Sequence, residues 1–225
     1  SIQLHHAGRQ TNSRVTGQPI IAPSAIACPI KQEVPHALSL SEIDEVVEWF
    51  GQGARRAMEA GFNAIEIHGA HGYLPAQFLS PRSNQRTDAY GGSLENRARF
   101  IVRLVERVRR EVGAGVPLSV KISGDEFAAG GLTTAETPLI AALLEGAGAD
   151  LVAISAGVAP YYRLPRSDAQ GSGDGLFVEP GSRLLTGGAD RAGAAAATGT
   201  GGGRRAGGAG GGAGCSAARA HGARL

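Results

Sequence analysis

The sequence has little cysteine and no long apolar run, and each absence excludes a class of protein. Its two cysteines, Cys28 and Cys215, provide neither a disulfide framework nor a metal-binding cysteine spacing. No apolar stretch approaches the roughly 18 residues of a membrane span, and no signal peptide is expected. These absences predict a protein of the reducing cytoplasm that is not embedded in a membrane.

The composition changes at Gly181. From there on the chain has no valine, isoleucine, lysine or glutamate, and about three quarters of its residues are glycine, alanine or arginine. Six of the 22 basic residues and one of the 20 acidic residues lie there, which leaves 16 basic against 19 acidic residues in the rest. The excess of positive charge therefore belongs to the tail. Arginines diluted in this way do not predict a nucleic-acid surface.

The most informative stretch spans residues 62–81. Its first half is apolar and partly β-branched, which predicts a strand buried on both faces. Two imidazoles and a phenol follow directly, those of His68, His71 and Tyr73. In an α/β barrel the carboxyl ends of the strands form the floor of the active site, so these side chains are candidates for chemistry. The glycines between them are expected to admit a flat ligand close to the backbone.

The two histidines could also be structural residues or metal ligands. A lone buried histidine is usually a hydrogen-bonded core residue, but two of them beside a tyrosine at a strand end favour a functional site. Neutral imidazole is also the commonest metal ligand, and His68 and His71 are three residues apart. A third ligand is hard to find in the sequence, which weakens the metal hypothesis.

Strands and helices alternate along residues 1–155. Strands are predicted over 1–6, 62–67, 116–123 and 149–155, and a short helix over 74–79. Longer helices are predicted to begin after Ser39, with Glu42 completing a capping box, after Ser93, and at Thr133 or Thr134. Residues 12–30 are rich in glycine, proline and serine and predict an irregular segment with room for a small hairpin.

Each predicted strand has polar side chains at its carboxyl end. They are Gln3, His5 and His6 on the first strand, His68 and His71 on the second, Lys121 and Ser123 on the third, and Ser155 on the fourth. Parallel strands bring these ends to one rim. The pattern predicts an α/β fold of the TIM (β/α)8 type, with a site at the top of the barrel.

Charged residues near this rim also allow structural interpretations. A lysine in an apolar strand is costly to bury unless an anion meets it, and Asp125 or Glu126 could neutralise Lys121. The charged and polar residues of the loop 84–97 are expected mainly to satisfy the backbone of that loop.

These motifs resemble the old yellow enzyme family of FMN-dependent NADH:flavin oxidoreductases, in particular the branch with bacterial 2,4-dienoyl-CoA reductases and amine-demethylating flavoproteins. The likeness is carried by QLHHAGRQ at 3–10, AGFNAIEIHGAHGYLPAQFLSP at 60–81, NQRTDAYGGSLENRARF at 84–100 and VKISGDEF at 120–127. It covers residues 1 to about 160 and implies about four central units of a TIM-type barrel.

The resemblance also implies roles for single residues. Gln3 matches a residue that bonds the pyrimidine edge of the flavin, and Lys121 matches the basic residue near flavin N1 and O2. His68 and His71 match the pair that holds the carbonyl oxygen of the substrate, and Tyr73 matches a position that supplies a proton. The implied cofactors are FMN and NAD(P)H.

The implied function is reduction of an activated C=C bond by NAD(P)H through FMN, in an α,β-unsaturated carbonyl compound or an enoyl or dienoyl thioester. The expected partner is this small molecule, with no nucleic acid and no membrane. Two alternatives remain, an inactive barrel fragment without cofactor and a metal-dependent hydrolase.

Two domains are expected from the sequence pattern. Residues 1–178 would form a partial oxidoreductase barrel, and residues 179–225 a low-complexity tail that is disordered or frameshifted. The loops that grip the FMN phosphate in the family have no counterpart after about Val178. We therefore expect this chain not to hold FMN tightly or to fold as a closed barrel.

Overall fold

The computed structural model describes residues 1–158, which form a parallel sheet with helices packed on one of its faces. In chain order the elements are β1 (Ile2–Leu4), α1 (Ser13–Thr16), β2 (Ile21–Ala22), β3 (His36–Ala37), α2 (Leu40–Glu59), β4 (Ile65–Gly69), α3 (Leu74–Leu79), α4 (Leu94–Val112), β5 (Leu118–Ser123), α5 (Thr137–Gly146) and β6 (Leu151–Ser155). The main sheet has the order β1-β4-β5-β6, and every pair in it is parallel. The expected tail, and the domain boundary at 178, lie outside the described residues.

The main sheet has one apolar and one polar face. Ile65 and Ile67 of β4 are fully buried in the core together with the inner sides of α2 and α4. Because successive side chains of a strand point to opposite faces, Glu66 and His68 lie on the other face. The predicted burial of this strand on both faces is confirmed, since Ile67 on one face and His68 on the other are buried and Glu66 is partly buried. Helices cover the apolar face, and the polar face carries the candidate site.

The register between strands places polar residues side by side on that face. Gln3 pairs with Glu66, and Glu66 pairs with Ser119. One step toward the carboxyl ends, His68 pairs with Lys121. The polar residues predicted at separate strand ends thus come together in adjacent rows.

The capping box at the start of α2 is confirmed. The Ser39 hydroxyl accepts the Glu42 N–H at 3.3 Å, and the Glu42 carboxylate accepts the Ser39 N–H at 2.7 Å. The backbone bond to Ser39, followed by the bond to His36, lowers the pKa of Glu42 to about 2. Two donors that the helix itself cannot satisfy are therefore paired.

Ser39→Ala should lower the free energy of unfolding by about 1 kcal/mol, because it removes the side-chain half of this box. Urea unfolding measures the change. Glu45→Ala is the matched control, since Glu45 lies on the exposed side of α2, where alanine is the better helix former and no loss is expected. Equal losses in the two variants would contradict the capping role.

The loop between α3 and α4 is fixed by its own polar side chains, as predicted. The Asn84 amide donates to the carbonyls of Phe78 and Tyr90, both at 2.7 Å. Arg97, a buried residue in the first turn of α4, donates to the Gly92 carbonyl at 3.1 Å and to the Glu136 carboxylate at 2.6 Å. These side chains satisfy buried backbone groups that regular structure leaves open.

Two predictions of local structure were wrong. Residues 12–30 hold no hairpin, because β2 pairs in parallel with β3, with Ile21 opposite His36. The helix predicted to begin at Thr133 or Thr134 begins at Thr137. The residues just before it form a turn in which the Glu136 carboxylate accepts the Thr133 N–H at 3.3 Å. Pro138 lies in the first turn, where its missing N–H is not needed.

Candidate active site

The candidate site lies where the parallel strands end. His68 is the fourth residue of β4, and His71 follows in the loop toward α3. His71 has φ +59° and Gly72 has φ +73°, so two successive residues are left-handed. The Ser123 hydroxyl accepts the His71 N–H at 3.0 Å, and the Gln10 amide donates to the His71 carbonyl at 2.6 Å. The backbone of His71 is thus held from two neighbouring segments.

Gly69, the last residue of β4, and Gly72, in the loop that follows, both lie close against other side chains. A Cβ at Gly69 would lie 2.5 Å from Ile101 Cδ1 of α4, and a Cβ at Gly72 would lie 2.4 Å from Val158 Cγ2. The expectation that Gly69 opens the backbone to a flat ligand was therefore wrong. Gly69 is on the helix-covered side of the sheet, and its missing side chain lets α4 approach.

The imidazoles of His68 and His71 form a connected pair. Their ring centroids are 5.1 Å apart, and His71 Nδ1 lies 3.4 Å from His68 Nε2. His71 Nε2 lies 2.6 Å from the Ser155 hydroxyl oxygen at the end of β6. His68 Nδ1 is buried and has no hydrogen-bond partner among residues 1–158. The position of one proton in this chain of groups therefore determines the tautomers of both rings.

Tyr73 lies against the same cluster. It is the residue that precedes α3, and its ring meets His5 edge to face at a centroid distance of 4.3 Å. The ring centroid of Tyr73 is 5.2 Å from that of His68. The three residues predicted to be catalytic, His68, His71 and Tyr73, are therefore brought together at one rim.

Burial keeps the histidines of this cluster neutral at pH 7. Burial is the main cause that lowers the pKa of His68 to about 4, with smaller contributions from the charges of His71, His5 and Lys121. Burial and the charge of Lys121 lower the pKa of His71, and burial and the charge of His5 lower that of His6 to about 4. A neutral imidazole has one N–H donor and one acceptor, so the pair can donate to a ligand oxygen without carrying a charge.

These pKa values predict acid lability. His6 and His68 bind a proton near pH 6.5 in the unfolded chain but only near pH 4 in the folded one. Lowering the pH from 6.5 toward 4 therefore protonates the unfolded state first, and the free energy of unfolding should fall across this window. Urea unfolding at several pH values measures it. His6→Asn should make the dependence shallower, and a free energy that stays constant from pH 6.5 to 4 would contradict the assignment.

A polar row crosses three strands below this rim. The Gln3 amide donates to Glu66 Oε1, and Lys121 Nζ lies 3.7 Å from the same oxygen. The Ser119 hydroxyl lies 3.4 Å from Glu66 Oε2. The two residues predicted to bind the cofactor, Gln3 and Lys121, are thus joined through one carboxylate.

The alternative in which Asp125 or Glu126 neutralises Lys121 does not hold, because Lys121 pairs with Glu66. Lys121 lies on the polar face of β5, whereas the two acids follow the end of the strand and turn to other partners. Asp125 accepts the Phe127 N–H at 2.6 Å, and Glu126 accepts the Ser80 hydroxyl at 2.6 Å and the Leu132 N–H at 2.9 Å. Burial raises the pKa of Glu126. The partner of Lys121 is Glu66.

Sequence reasoning missed Glu66, although a signal was present. Glu66 is the one charged residue of the strand Ile65–Gly69, and it is two residues before His68. A period of two would have placed both on one face.

The metal hypothesis finds no support in the described part of the chain, where no three histidine, cysteine or acidic side chains lie together as an ion would require. Within residues 1–158, no helix is both long and apolar enough to cross a membrane.

A parallel α/β sheet with helices on one face and polar side chains gathered at its carboxyl rim is the arrangement expected of part of a (β/α) barrel with a site at its top. The comparisons with known proteins agree with this class. The profile of the NADH:flavin oxidoreductase / NADH oxidase family matches residues 1–166. The chain belongs to this family. The described sheet is accordingly part of the TIM (β/α)8-type barrel that the sequence predicts.

Individual relatives are similar over the same region. An NADH oxidase of Thermoanaerobacter brockii is 46% identical over 165 residues, which are 73% of this chain and 25% of that protein. An NADPH dehydrogenase of Geobacillus sp. (strain WCH70) is 47% identical over 172 residues, 73% of this chain and 49% of that protein. The chain thus spans between a quarter and half of the length of these relatives.

Solved structures show the same likeness. A 2-naphthoyl-CoA reductase in complex with 2-naphthoyl-CoA superposes with a TM-score of 0.73 and 30% identity, over 82% of this chain and 30% of that one. A morphinone reductase in complex with tetrahydroNAD superposes with a TM-score of 0.63 and 32% identity, over 68% of this chain and 48% of that one.

Proposed function

We propose that the polar face and rim of this sheet form the site of an FMN-dependent oxidoreductase that takes its electrons from NAD(P)H. The observation that carries the proposal is the convergence of His68, His71 and Tyr73 at one rim beside the row of Gln3 and Lys121. Membership of the NADH:flavin oxidoreductase / NADH oxidase family supports the cofactor and the electron donor.

The residues of the face fit the flavin of FMN. Lys121 supplies a cation, Gln3 supplies an amide that can both donate and accept, and His68 Nδ1 is a buried polar atom that lacks a partner among residues 1–158. FMN, when bound, supplies the hydride transfer that amino-acid side chains cannot perform. Gln3 and Lys121 would hold the pyrimidine edge of the flavin. Reduced flavin carries its negative charge at this edge, where a cation stabilises it.

The rim residues would act on the substrate. A neutral His68–His71 pair can donate a hydrogen bond to a carbonyl oxygen, and this bond strengthens as negative charge develops on that oxygen. The Tyr73 hydroxyl is a proton donor of the kind that general acid catalysis uses. Because it stands beside His68 at the same rim, it can deliver a proton to a substrate held by the pair.

The proposed substrate is an activated C=C bond, in an α,β-unsaturated carbonyl compound or an enoyl or dienoyl thioester. Two neutral histidines suit an oxygen that becomes negative when hydride arrives at the far end of a conjugated system. A structural neighbour whose bound molecule is an aryl-CoA thioester supports the thioester form of this proposal.

Anaerobic half-reactions of the purified 225-residue protein with saturating FMN test the proposal. NADH or NADPH should bleach the flavin absorption, and 2-cyclohexenone should restore it. Cyclohexanone, which has the carbonyl but not the conjugated double bond, is the matched control and should leave the flavin bleached. A protein that takes up no flavin would support the inactive fragment, and one that reacts equally with both ketones would refute the substrate class.

A further inference from the structure

Glu66 is the centre of the polar row, and the proposed chemistry gives it no role. It lies in the middle strand of the three that carry the row, with β1 on one side and β5 on the other. Its Oε1 atom accepts the Gln3 amide and lies 3.7 Å from Lys121 Nζ, while its Oε2 atom faces the Ser119 hydroxyl. One carboxylate therefore contacts both residues that we assign to the flavin.

The contact with Gln3 fixes the direction of the amide. A carboxylate can only accept hydrogen bonds, so the Gln3 atom that faces it must be the NH2 group. The Gln3 carbonyl oxygen then remains as an acceptor for a ligand N–H. Without Glu66 the amide could turn over, since its two ends are nearly identical in shape.

The contact with Lys121 sets the charge of the face. The two side chains, Glu66 and Lys121, are 22% and 34% exposed, so solvent screens their interaction only in part. The carboxylate offsets part of the attraction that Lys121 exerts on negative charge arriving nearby. The balance of the two groups determines how strongly the face favours an anion.

We propose that Glu66 is a positioning residue that orients Gln3 toward the pyrimidine edge of the flavin and moderates the positive charge of Lys121. This inference rests on the proposed function. Glu66 would thereby lower the reduction potential of bound FMN, because reduction adds negative charge that a nearby carboxylate repels.

The decisive variant is Glu66→Gln, which keeps the size of the side chain and removes its charge. Its bound FMN should show a higher reduction potential, with the ratio of reduced to oxidised flavin at a fixed potential raised on the order of tenfold. For a two-electron couple, tenfold corresponds to about 30 mV. Lys121→Met should move the potential in the opposite direction. Glu59→Gln, an exposed acid at the end of α2, is the matched control and should leave it unchanged.

The outcomes separate this inference from the proposed function. If the wild-type protein takes up no FMN, both are overturned. If it binds FMN but Glu66→Gln leaves the reduction potential of the flavin unchanged or lowers it, the inference alone is overturned. The role proposed for Glu66 requires that Glu66→Gln and Lys121→Met shift this potential in opposite directions. Should Glu66→Gln not fold, Glu66→Asp provides the test. The shorter carboxylate retains its charge but withdraws from Gln3, so the dissociation constant for FMN should rise several-fold, and an unchanged constant overturns the inference.

Discussion

Replacing His68 and His71 together by alanine should slow the reoxidation of reduced FMN by an α,β-unsaturated ketone by a factor on the order of 10²–10³ or more. Reduction of FMN by NAD(P)H should change much less. The physical reason is that negative charge develops on the carbonyl oxygen of the ketone, and the paired imidazoles are the donors placed to meet it. Nicotinamide oxidation develops no such oxyanion.

Stopped-flow measurement of the two half-reactions separates these effects. His36→Ala is the control, because His36 is exposed, pairs with Glu42 and lies outside the site. A double variant in which both half-reactions slow equally would mean that the imidazoles hold the flavin or the fold. The catalytic assignment of the pair would then be wrong.

Phe100→Ala should lower the free energy of unfolding by about 3–5 kcal/mol. Phe100 of α4 is fully buried, and its ring stacks on that of Phe78 in α3, with centroids 4.2 Å apart and planes 25° apart. The substitution would leave a cavity between the two helices, in addition to removing apolar surface from the core. Such a loss is a large share of the roughly 5–15 kcal/mol of a typical domain.

Urea unfolding of the variant measures this loss. Leu139→Ala on α5 is the matched control, since the Leu139 side chain is 58% exposed and its truncation should change stability by about 0.5 kcal/mol or less. A loss of unfolding free energy below about 1 kcal/mol for Phe100→Ala would show that α3 and α4 move together and fill the cavity. That result would contradict the packing described for the core.

Local rules predicted the parts of this fold that depend on neighbours in sequence. The capping box of Ser39 and Glu42 was predictable because it needs only a spacing of three residues. The parallel sheet followed from the alternation of strands and helices. The gathering of His68, His71 and Tyr73 followed from their short separation at a strand end.

Contacts between distant segments were not predictable in the same way. The partner of Lys121 is 55 residues away on the neighbouring strand, and only the register of β4 and β5 shows that Glu66 can reach it. Proximity in sequence favoured Asp125 and Glu126, which the backbone turns away. Gly69 was interpreted as an opening for a ligand because sequence does not show that α4 packs against it.

Flavin binding by the polar face is tested most directly by a titration of FMN with the purified 225-residue protein, followed by flavin fluorescence and the visible spectrum. We expect weak, saturable binding that perturbs the flavin spectrum and weakens further in both Gln3→Ala and Lys121→Met. Glu59→Gln should bind as the wild-type protein does. A titration without saturation, or one that both site variants leave unchanged, would contradict the claim that this face of the sheet binds a flavin.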